Sequence, residues 1–495
     1  MKLRQVLPLV VTMVESQPYQ APLSELVDAV AALDGGILTT GVDQEAAQLV
    51  VGGISYDSRS TGPGDLFICV VGGGHDGHDF AEAAIANGAV ALVAERQLPL
   101  PIPQVVVTDA RRAMAAVSNI FYRVPSRRLS VIGVTGTNGK TTLTHMLAAI
   151  FRAAGKKVEV LGTLSGPRTT PEAPELQQRL ASFADAGVEV AAIEVSSHAL
   201  AQHRVDGTYF DVAVFTNLGR DHLDYHENMN DYFKAKARLF EPDMAAAAVV
   251  NLDDPYGRLL RDAALIPTHT YSMADIGEVE LAPSSSSFKW HDEKVLVPLG
   301  GRFNVSNALG AATAAKLMGV ENAAVVAGLA NLAAIPGRFE TVPLSAPFSV
   351  IVDFAHTPDS LAGVLEATRE LALGHQLHVV FGCGGDRDKS KRAPMGRIAS
   401  ELADNVIVTS DNPRSENPAE IMASIVEGTV NQDSVTAEVD RRRAIALALK
   451  RAAPGDVILI AGKGHESTQE INGEFFPFRD SAVVEEEYLR LGKAN

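Results

Sequence analysis

Short, wholly apolar runs alternate along most of this chain with longer stretches whose apolar residues recur every three or four positions. The run 131–134 leads into Thr135-Gly136-Thr137-Asn138-Gly139-Lys140-Thr141-Thr142. Beyond it, Leu143, Met146, Leu147, Ile150 and Phe151 line one face of a helix that Gly155 closes. Further strands are predicted at 158–161, 188–195, 212–217 and 247–251, with helical stretches between them. Apolar runs alternating with helices predict a parallel, doubly wound sheet. The pattern returns after about Thr341, with strands predicted at 349–353, 377–381, 405–409 and 456–461. An N-terminal region has its own strands at 54–56, 66–71, 89–94 and 104–107, and a helix over 79–86. Residues 1 to about 50 read as helix-like, and Pro283 with the four serines after it reads as a loop. The expectation is an α/β protein of three domains, spanning 1–127, 128–338 and 339–495.

Composition narrows the field. The 495 residues are 46% hydrophobic and 21% charged, a globular balance. With 43 basic against 60 acidic side chains the net charge is −17, and no basic run marks a nucleic-acid face. Anionic ligands must then be held by local cations and helix ends. Two cysteines, Cys69 and Cys383, point to a reducing compartment without a disulfide framework. The apolar run 7–11 is too short, and too soon followed by Glu15, for a signal peptide, and no stretch is long enough to span a membrane. The expectation is a cytoplasmic protein.

The candidate chemistry clusters in loops after predicted strands, where ligands of doubly wound sheets bind. Gly136 and Gly139 free the backbone to aim N–H groups at phosphates, Lys140 adds a point charge, and Thr141 or Thr142 a hydroxyl for Mg²⁺. The strict phosphate-loop pattern asks for glycine at position 134. Val134 stands there, and the glycine is one residue earlier, at Gly133. Glu194, Ser196, Ser197 and His198 follow one strand, and Asn217, Asp221, His222, Asp224 and His226 follow another. Each alone reads as a satisfied loop residue. Carboxylate and imidazole gathered beside a phosphate loop suit Mg²⁺ bridging phosphate oxygens. On a helix through 232–240, Lys234 and Arg238 share a face while Lys236 points among Tyr232, Phe233, Leu239 and Phe240. Burial there would make its amine neutral and able to form a carbamate with CO₂, although helix geometry alone favours a lysine reaching out to solvent. Three later loops carry Arg387, then Asp411-Asn412-Pro413-Arg414, then Gly462-Lys463-Gly464-His465-Glu466. Arginines for carboxylates and Glu466 for an ammonium make a receptor for a zwitterion.

These motifs, in this order, resemble the Mur ligase family, whose members build the peptide stem of the bacterial cell wall. The family loop has its glycine where Gly133 stands, followed by Thr135, Gly136, Thr137, Gly139, Lys140 and Thr141. Further matches are 194–198, 217–224, the 301–307 stretch with Asn304, the 337–340 stretch with Arg338, and 353–359, which begins with Asp353. The resemblance implies a uridine-nucleotide domain, a central P-loop ATPase and a C-terminal Rossmann-like domain. The branch most resembled adds meso-diaminopimelate, using ATP, to UDP-N-acetylmuramoyl-L-alanyl-D-glutamate through an acyl phosphate. That work belongs to cytoplasmic peptidoglycan synthesis, and so to cell shape and division. It implies the uridine end at Ser58, Gly73, Gly74 and His75, and the muramoyl peptide at Thr169, Thr170, Ser196, Gln202 and Arg204. ATP would lie against Gly136, Thr137, Asn138, Gly139, Lys140, Thr141, Thr142, Asn304, Arg338 and Asp353. Mg²⁺ would be held by Thr141, Glu194, His222 and a carbamate on Lys236, which reverses the solvent-facing expectation for that lysine. Diaminopimelate would meet Arg387, Asp411, Asn412, Pro413, Arg414, Gly462 and Glu466. Lys140, Glu194, His222 and Lys236 are the implied catalytic set. The implied partners are these small molecules, with no nucleic acid and no membrane span, acting on a monomer. The rivals are a lysine-adding relative, a folylpolyglutamate-synthetase-like ligase, and a nucleotide-binding protein without ligase activity.

Overall fold

The computed structural model of the chain describes residues 19–223 and 225–493. Asp224, the apolar run 7–11 and the rest of the first eighteen residues lie outside them. The chain divides into two compact units. One takes in residues up to 131 together with 170–191 and 198–210; the other comprises 132–169, 192–197 and 211 onward.

The first unit is built on a five-stranded sheet ordered Ile37–Thr40, Gln104–Val107, Ala91–Ala94, Asp65–Ile68, Gly53–Ser55. Its last four strands run parallel, and Ile37–Thr40 is antiparallel to Gln104–Val107. That strand corrects the helix-like reading of the first fifty residues. A helix is present at Leu23–Ala31, but Ile37-Leu-Thr-Thr40 has the β-branched character of a sheet edge and pairs as one. Leu23, Leu26 and Val30 seal one face of the sheet with Met114, Val117 and Phe121 of the helix Ala110–Phe121.

The second unit holds two six-stranded sheets. The first is ordered Thr268–Tyr271, Ala248–Asn251, Val212–Phe215, Ser130–Thr135, Val190–Glu194, Val158–Leu161. The pairings from Thr268–Tyr271 through to Ser130–Thr135 are parallel. Its three central neighbours all end in predicted chemistry: Thr135 opens the glycine loop, Glu194 is itself a candidate, and Phe215 precedes Asn217. The helix Lys140–Ala153 buries Leu143, Met146, Leu147, Ile150 and Phe151, the face its spacing predicts. The serine run is not a loop. Ser285–Trp290 is the middle strand of a three-stranded antiparallel sheet, paired on both sides with Val279–Ala282 and Glu293–Val297. Ser286 is buried because its hydroxyl donates to the Leu299 carbonyl, a partner far enough along the chain to leave no local pattern.

The other six-stranded sheet is ordered Glu340–Thr341, Ser349–Asp353, Val457–Ala461, Leu377–Phe381, Asn405–Val408, Val435–Ala437, parallel except for the first pair. Four of these strands fall where the apolar runs place them. Behind the sheet, Arg441 is wholly buried. Its Nε and Nη2 donate to the two carboxylate oxygens of Asp480 at 2.7 and 2.8 Å, and Nη2 also donates to the Ala461 carbonyl at 3.0 Å. Such a pair is costly to break from one side, since the remaining charge stays buried. Asp480→Ala is expected to lower stability to urea by about 3–5 kcal/mol, whereas a loss under about 1 kcal/mol would mean the pair behaves like a surface one.

Candidate functional site

The glycine loop is shaped by two left-handed positions. Gly136 has φ +151° and Gly139 φ +85°, and a Cβ on either would collide with a side chain, Thr216 Oγ1 in one case and Asn307 Oδ1 in the other. Neighbouring strands brace the loop. Asn138 N donates to Asn217 Oδ1 at 2.9 Å, Thr216 Oγ1 donates to the Asn138 carbonyl at 2.6 Å, and Thr137 Oγ1 lies 3.0 Å from Tyr232 Oη. Val134, the residue out of register with the strict pattern, is fully buried in the strand. It spends its side chain on the core, so the turn begins at Gly136.

Lys140 and Lys236 meet at this loop. The Gly136 carbonyl accepts from Lys140 Nζ at 2.7 Å and from Lys236 Nζ at 2.8 Å, and Lys140 also donates to the Thr137 carbonyl at 2.8 Å. Lys236, on the helix Met229–Ala237, does not reach solvent: it is 1% exposed, with its Nζ 4.7 Å from the centre of the Tyr232 ring. Burial holds its amine well below the ordinary lysine value; nearby Lys140 adds to this and Asp221 works against it. Burial also lowers Lys140, against the pull of Glu194 and Asp221.

Glu194 is 1% exposed and takes donors on both oxygens: Thr141 Oγ1 at 2.9 Å and Thr163 Oγ1 at 3.1 Å on one, Thr163 N at 2.9 Å on the other. Arg338 Nη2 reaches the same Thr141 hydroxyl at 3.3 Å and stacks on Phe354, 4.5 Å from the ring centre. Asp353 lies next to it, partly buried, accepting from Phe339 N and Ala355 N at 2.8 Å each. Asn304 turns inward to donate to the Gly300 carbonyl at 2.8 Å. His222 has left-handed backbone, φ 54°, and its ring stands edge-on to Tyr232. Burial raises the Asp221 carboxyl, but His222 and His356 outweigh it and leave the group low. His226, a sequence candidate, instead bonds Ser197 Oγ at 2.9 Å in a buried pair.

At the carboxyl ends of Leu377–Phe381, Asn405–Val408 and Val457–Ala461 the three later motifs converge. Gly462, at φ +112°, leaves room for the Asp411 carboxylate. Asn412 Nδ2 donates to Glu466 Oε2 at 2.7 Å. Arg414 donates from Nη1 to the Gly385 carbonyl at 2.7 Å, and its Nε forms an ion pair with Glu470 at 3.1 Å. Arg387 is exposed and flanks Gly384, as Arg414 does. The Gly337–Arg338 segment abuts this cluster, because a Cβ on Gly337 would strike His465 N and the Gly464 backbone. Phe354 then stacks between Arg338 and His465, with ring centres 5.0 Å apart on the histidine side. The phosphate-loop and zwitterion residues are thus joined through one aromatic contact.

Within the first unit, Arg204 is held by Glu172 at 3.1 Å, by Gln202 Oε1 at 2.6 Å and by the Thr170 carbonyl at 3.2 Å. Arg111 reaches Glu172 from the other side at 3.2 Å. Ser58 is buried with its carbonyl taken by Asn87, whereas Gly73 and Gly74 are open and His75 stands by Phe80. Thr169 Oγ1 lies 3.0 Å from Thr163 Oγ1 in the second unit. Sequence reading missed Thr163, Glu172 and Glu470. Each lies outside the recognised motifs, and only the fold brings it to one.

The buried lysine gives a pH test. The unfolded chain keeps that proton to about pH 10.4. Between the lowered folded value and there, the unfolded chain binds more protons, so stability rises with pH. Lys236→Met removes this dependence. In CO₂-free buffer the variant is expected to melt above the parent at about pH 7, with the gap closing towards about pH 10. A gap that does not change with pH would show that the lysine is charged in the fold.

Comparison with known proteins adds to this geometry. Residues 50–131 match the Mur ligase family catalytic domain, residues 134–315 the Mur ligase middle domain, and residues 337–464 the Mur ligase glutamate ligase domain. A curated protein of Geobacillus thermodenitrificans, named UDP-N-acetylmuramoyl-L-alanyl-D-glutamate--2,6-diaminopimelate ligase, is 45% identical over 457 residues, covering 87% of this chain and 93% of its own length. One of the same name from Streptomyces coelicolor is 41% identical, covering 94% and 96%. A solved structure bearing that enzyme name superimposes with a TM-score of 0.62 at 35% identity, over 89% of this chain and 95% of that one. With three successive family segments matched and full-length relatives well above 30% identity, the chain belongs to the Mur ligase family.

Proposed function

We propose that this chain is an ATP-dependent amide ligase joining meso-diaminopimelate to the D-glutamyl γ-carboxylate of UDP-N-acetylmuramoyl-L-alanyl-D-glutamate. The observation that carries the proposal is the convergence of Asn412, Arg414 and Glu466 at one sheet edge, in a chain whose full-length relatives bear that name. Diaminopimelate differs from lysine by one carboxylate. Arg414 has Nε and Nη1 engaged by the protein, and its remaining nitrogen, Nη2, can take that group. With lysine that edge of a partly buried guanidinium would stay unmatched, which favours discrimination.

Residues 1–127 would receive the uridine nucleotide, through Ser58, Gly73, Gly74 and His75. Residues 128–338 would bind ATP, and 339–495 the amino acid. Thr169, Thr170, Ser196, Gln202 and Arg204 would hold the muramoyl peptide, with Glu172 fixing the Arg204 guanidinium. The loop from Gly136 to Thr142, with Asn304, Arg338 and Asp353, would hold ATP. Among the described residues no three His, Cys, Asp or Glu side chains converge as a metal cage. Mg²⁺ keeps waters and takes phosphate oxygens beside one or two protein ligands. Glu194, His222, the Thr141 hydroxyl and a carbamate on Lys236 are the groups that would hold it. When bound, the ion neutralises charge on the phosphoryl group in transfer.

The chain's own residues do the rest. Lys140, held by the Gly136 and Thr137 carbonyls, keeps a third donor for a phosphate. The depressed amine of Lys236 is the reactive form towards CO₂. Asn412, Arg414 and Glu466 orient the incoming amino acid so that its amine meets the activated carboxylate, which is largely a matter of prepaid entropy. The product is a cell-wall peptide precursor, made in the cytoplasm. Among the described residues no helix is long and apolar enough to cross a membrane.

Phosphate release from ATP should require both the UDP-muramoyl dipeptide and an amino acid, and release at an equal rate without the amino acid would overturn the ligase reading. Diaminopimelate should be preferred to lysine by about a hundredfold or more, and Arg414→Ala should erase most of that preference. Equal turnover of the two by the parent enzyme would favour the lysine-adding alternative. Lys236→Ala is expected to lose activity, with partial recovery on adding a short carboxylic acid; full activity in that variant would exclude the carbamate.

A further inference from the structure

We infer that Lys463 is a positioning residue that presets the amino-acid pocket; this rests on reading Asn412, Arg414 and Glu466 as that pocket. The side chain is completely buried, although it lies between two glycines at the mouth of a strand. An ammonium has three donors. Those of Lys463 find three acceptors: the Thr468 carbonyl at 2.7 Å, Glu466 Oε2 at 2.9 Å and Asn412 Oδ1 at 3.1 Å. No donor is left for a substrate, so whatever Lys463 does for the reaction it does through these groups.

The acceptors belong to three separate pieces of the pocket. Asn412 sits in the loop after Asn405–Val408, Glu466 in the loop after Val457–Ala461, and Thr468 opens the hairpin made by Thr468–Ile471 and Glu474–Pro477. Glu466 Oε2 receives both Lys463 and Asn412, while Oε1 has no hydrogen bond among the described residues and is the oxygen offered to a ligand. Asn412 Oδ1, pinned by Lys463, also accepts Glu470 N at 3.0 Å, which fixes the carboxamide with its Nδ2 towards Glu466. The hairpin in turn holds Arg414. Arg414 N donates to the Glu470 carbonyl at 3.1 Å, Asn472 N donates to the Arg414 carbonyl at 2.7 Å, and Arg414 keeps a left-handed φ of 52° between them. A non-glycine residue stays in that region only when its surroundings impose it. One buried ammonium therefore ties together the three groups that face the incoming zwitterion.

The test is steady-state kinetics of Lys463→Met, a substitution of similar length that removes all three donors. The KM for diaminopimelate is expected to rise on the order of thirtyfold, as for a lost charged hydrogen-bond set, with kcat and the KM values for ATP and the UDP-muramoyl dipeptide little changed. A rise below about threefold, or equal rises in all three KM values, would overturn the inference. Should Lys463→Met fail to fold, Lys463→Arg is read in the same way. Its planar fork cannot meet three convergent acceptors, so a smaller rise confined to the amino acid is expected, and unchanged kinetics would overturn the inference. The wild-type preference between diaminopimelate and lysine, measured alongside, tests the reading of Arg414 separately. Lys463 is judged on the KM of whichever amino acid is incorporated.

Discussion

Two lysines share one carbonyl oxygen. Lys140 and Lys236 both donate to Gly136, Lys236 fully buried and Lys140 partly so. Two full positive charges on one oxygen repel, the more so with Lys236 out of water. The arrangement is tolerable only if one amine gives up its proton or if negative charge comes to lie between them, and the site is built to allow both. Burial drives Lys236 towards the neutral form, and Glu194 and Asp221 stand close enough to be felt electrostatically by Lys140. The loop is where both lysines meet, and it takes its shape from glycine. Its backbone could not bring the two lysines together with any side chain at Gly136.

Part of the strained backbone lies beside this chemistry. His222, Phe339, Asp386 and Arg414 all have left-handed backbone without being glycine. Each neighbours or is a group placed in the ATP, metal or amino-acid sites. Such residues cost of order 1–3 kcal/mol apiece and need over-determined surroundings. For Arg414 those surroundings are the hairpin bonds, and for Phe339 the Asp353 carboxylate that accepts its N–H. Rigid support of this kind spares a ligand the cost of ordering the pocket itself.

Much of this was readable before any coordinates. Parallel strands buried on both faces leave unbroken apolar runs, so Val457–Ala461 and Val212–Phe215 stand out by composition alone. Motifs at strand ends carry glycine, whose spacing survives in the sequence, and the offset glycine of the phosphate loop proved diagnostic. Elements that depend on a distant partner left no such mark. Ile37–Thr40 is a strand because Gln104–Val107 offers it an edge, and Ser285–Trp290 because it has a neighbour on either side. Lys236 shows the same limit in one residue: helix periodicity says which way it points, but only the Tyr232 ring and the Gly136 carbonyl decide that it stays inside. Thr163 and Glu470 have no motif at all, and the fold alone brings them to Glu194 and to Arg414 and Asn412.

The buried Arg441–Asp480 pair sets an order of events in synthesis. Arg441 steadies the Ala461 carbonyl, immediately before Gly462 and the loop that carries Glu466, yet its counter-ion lies further along the chain, in the helix Asp480–Lys493. A nascent chain that has emerged only as far as Glu466 holds every motif named above but has an uncompensated guanidinium beneath the pocket. Domains mature as they leave the ribosome. Here the glycine loop lies whole in the chain well before the partner of Arg441 is made, so the loop that carries Glu466 is the last of the motifs to gain its support.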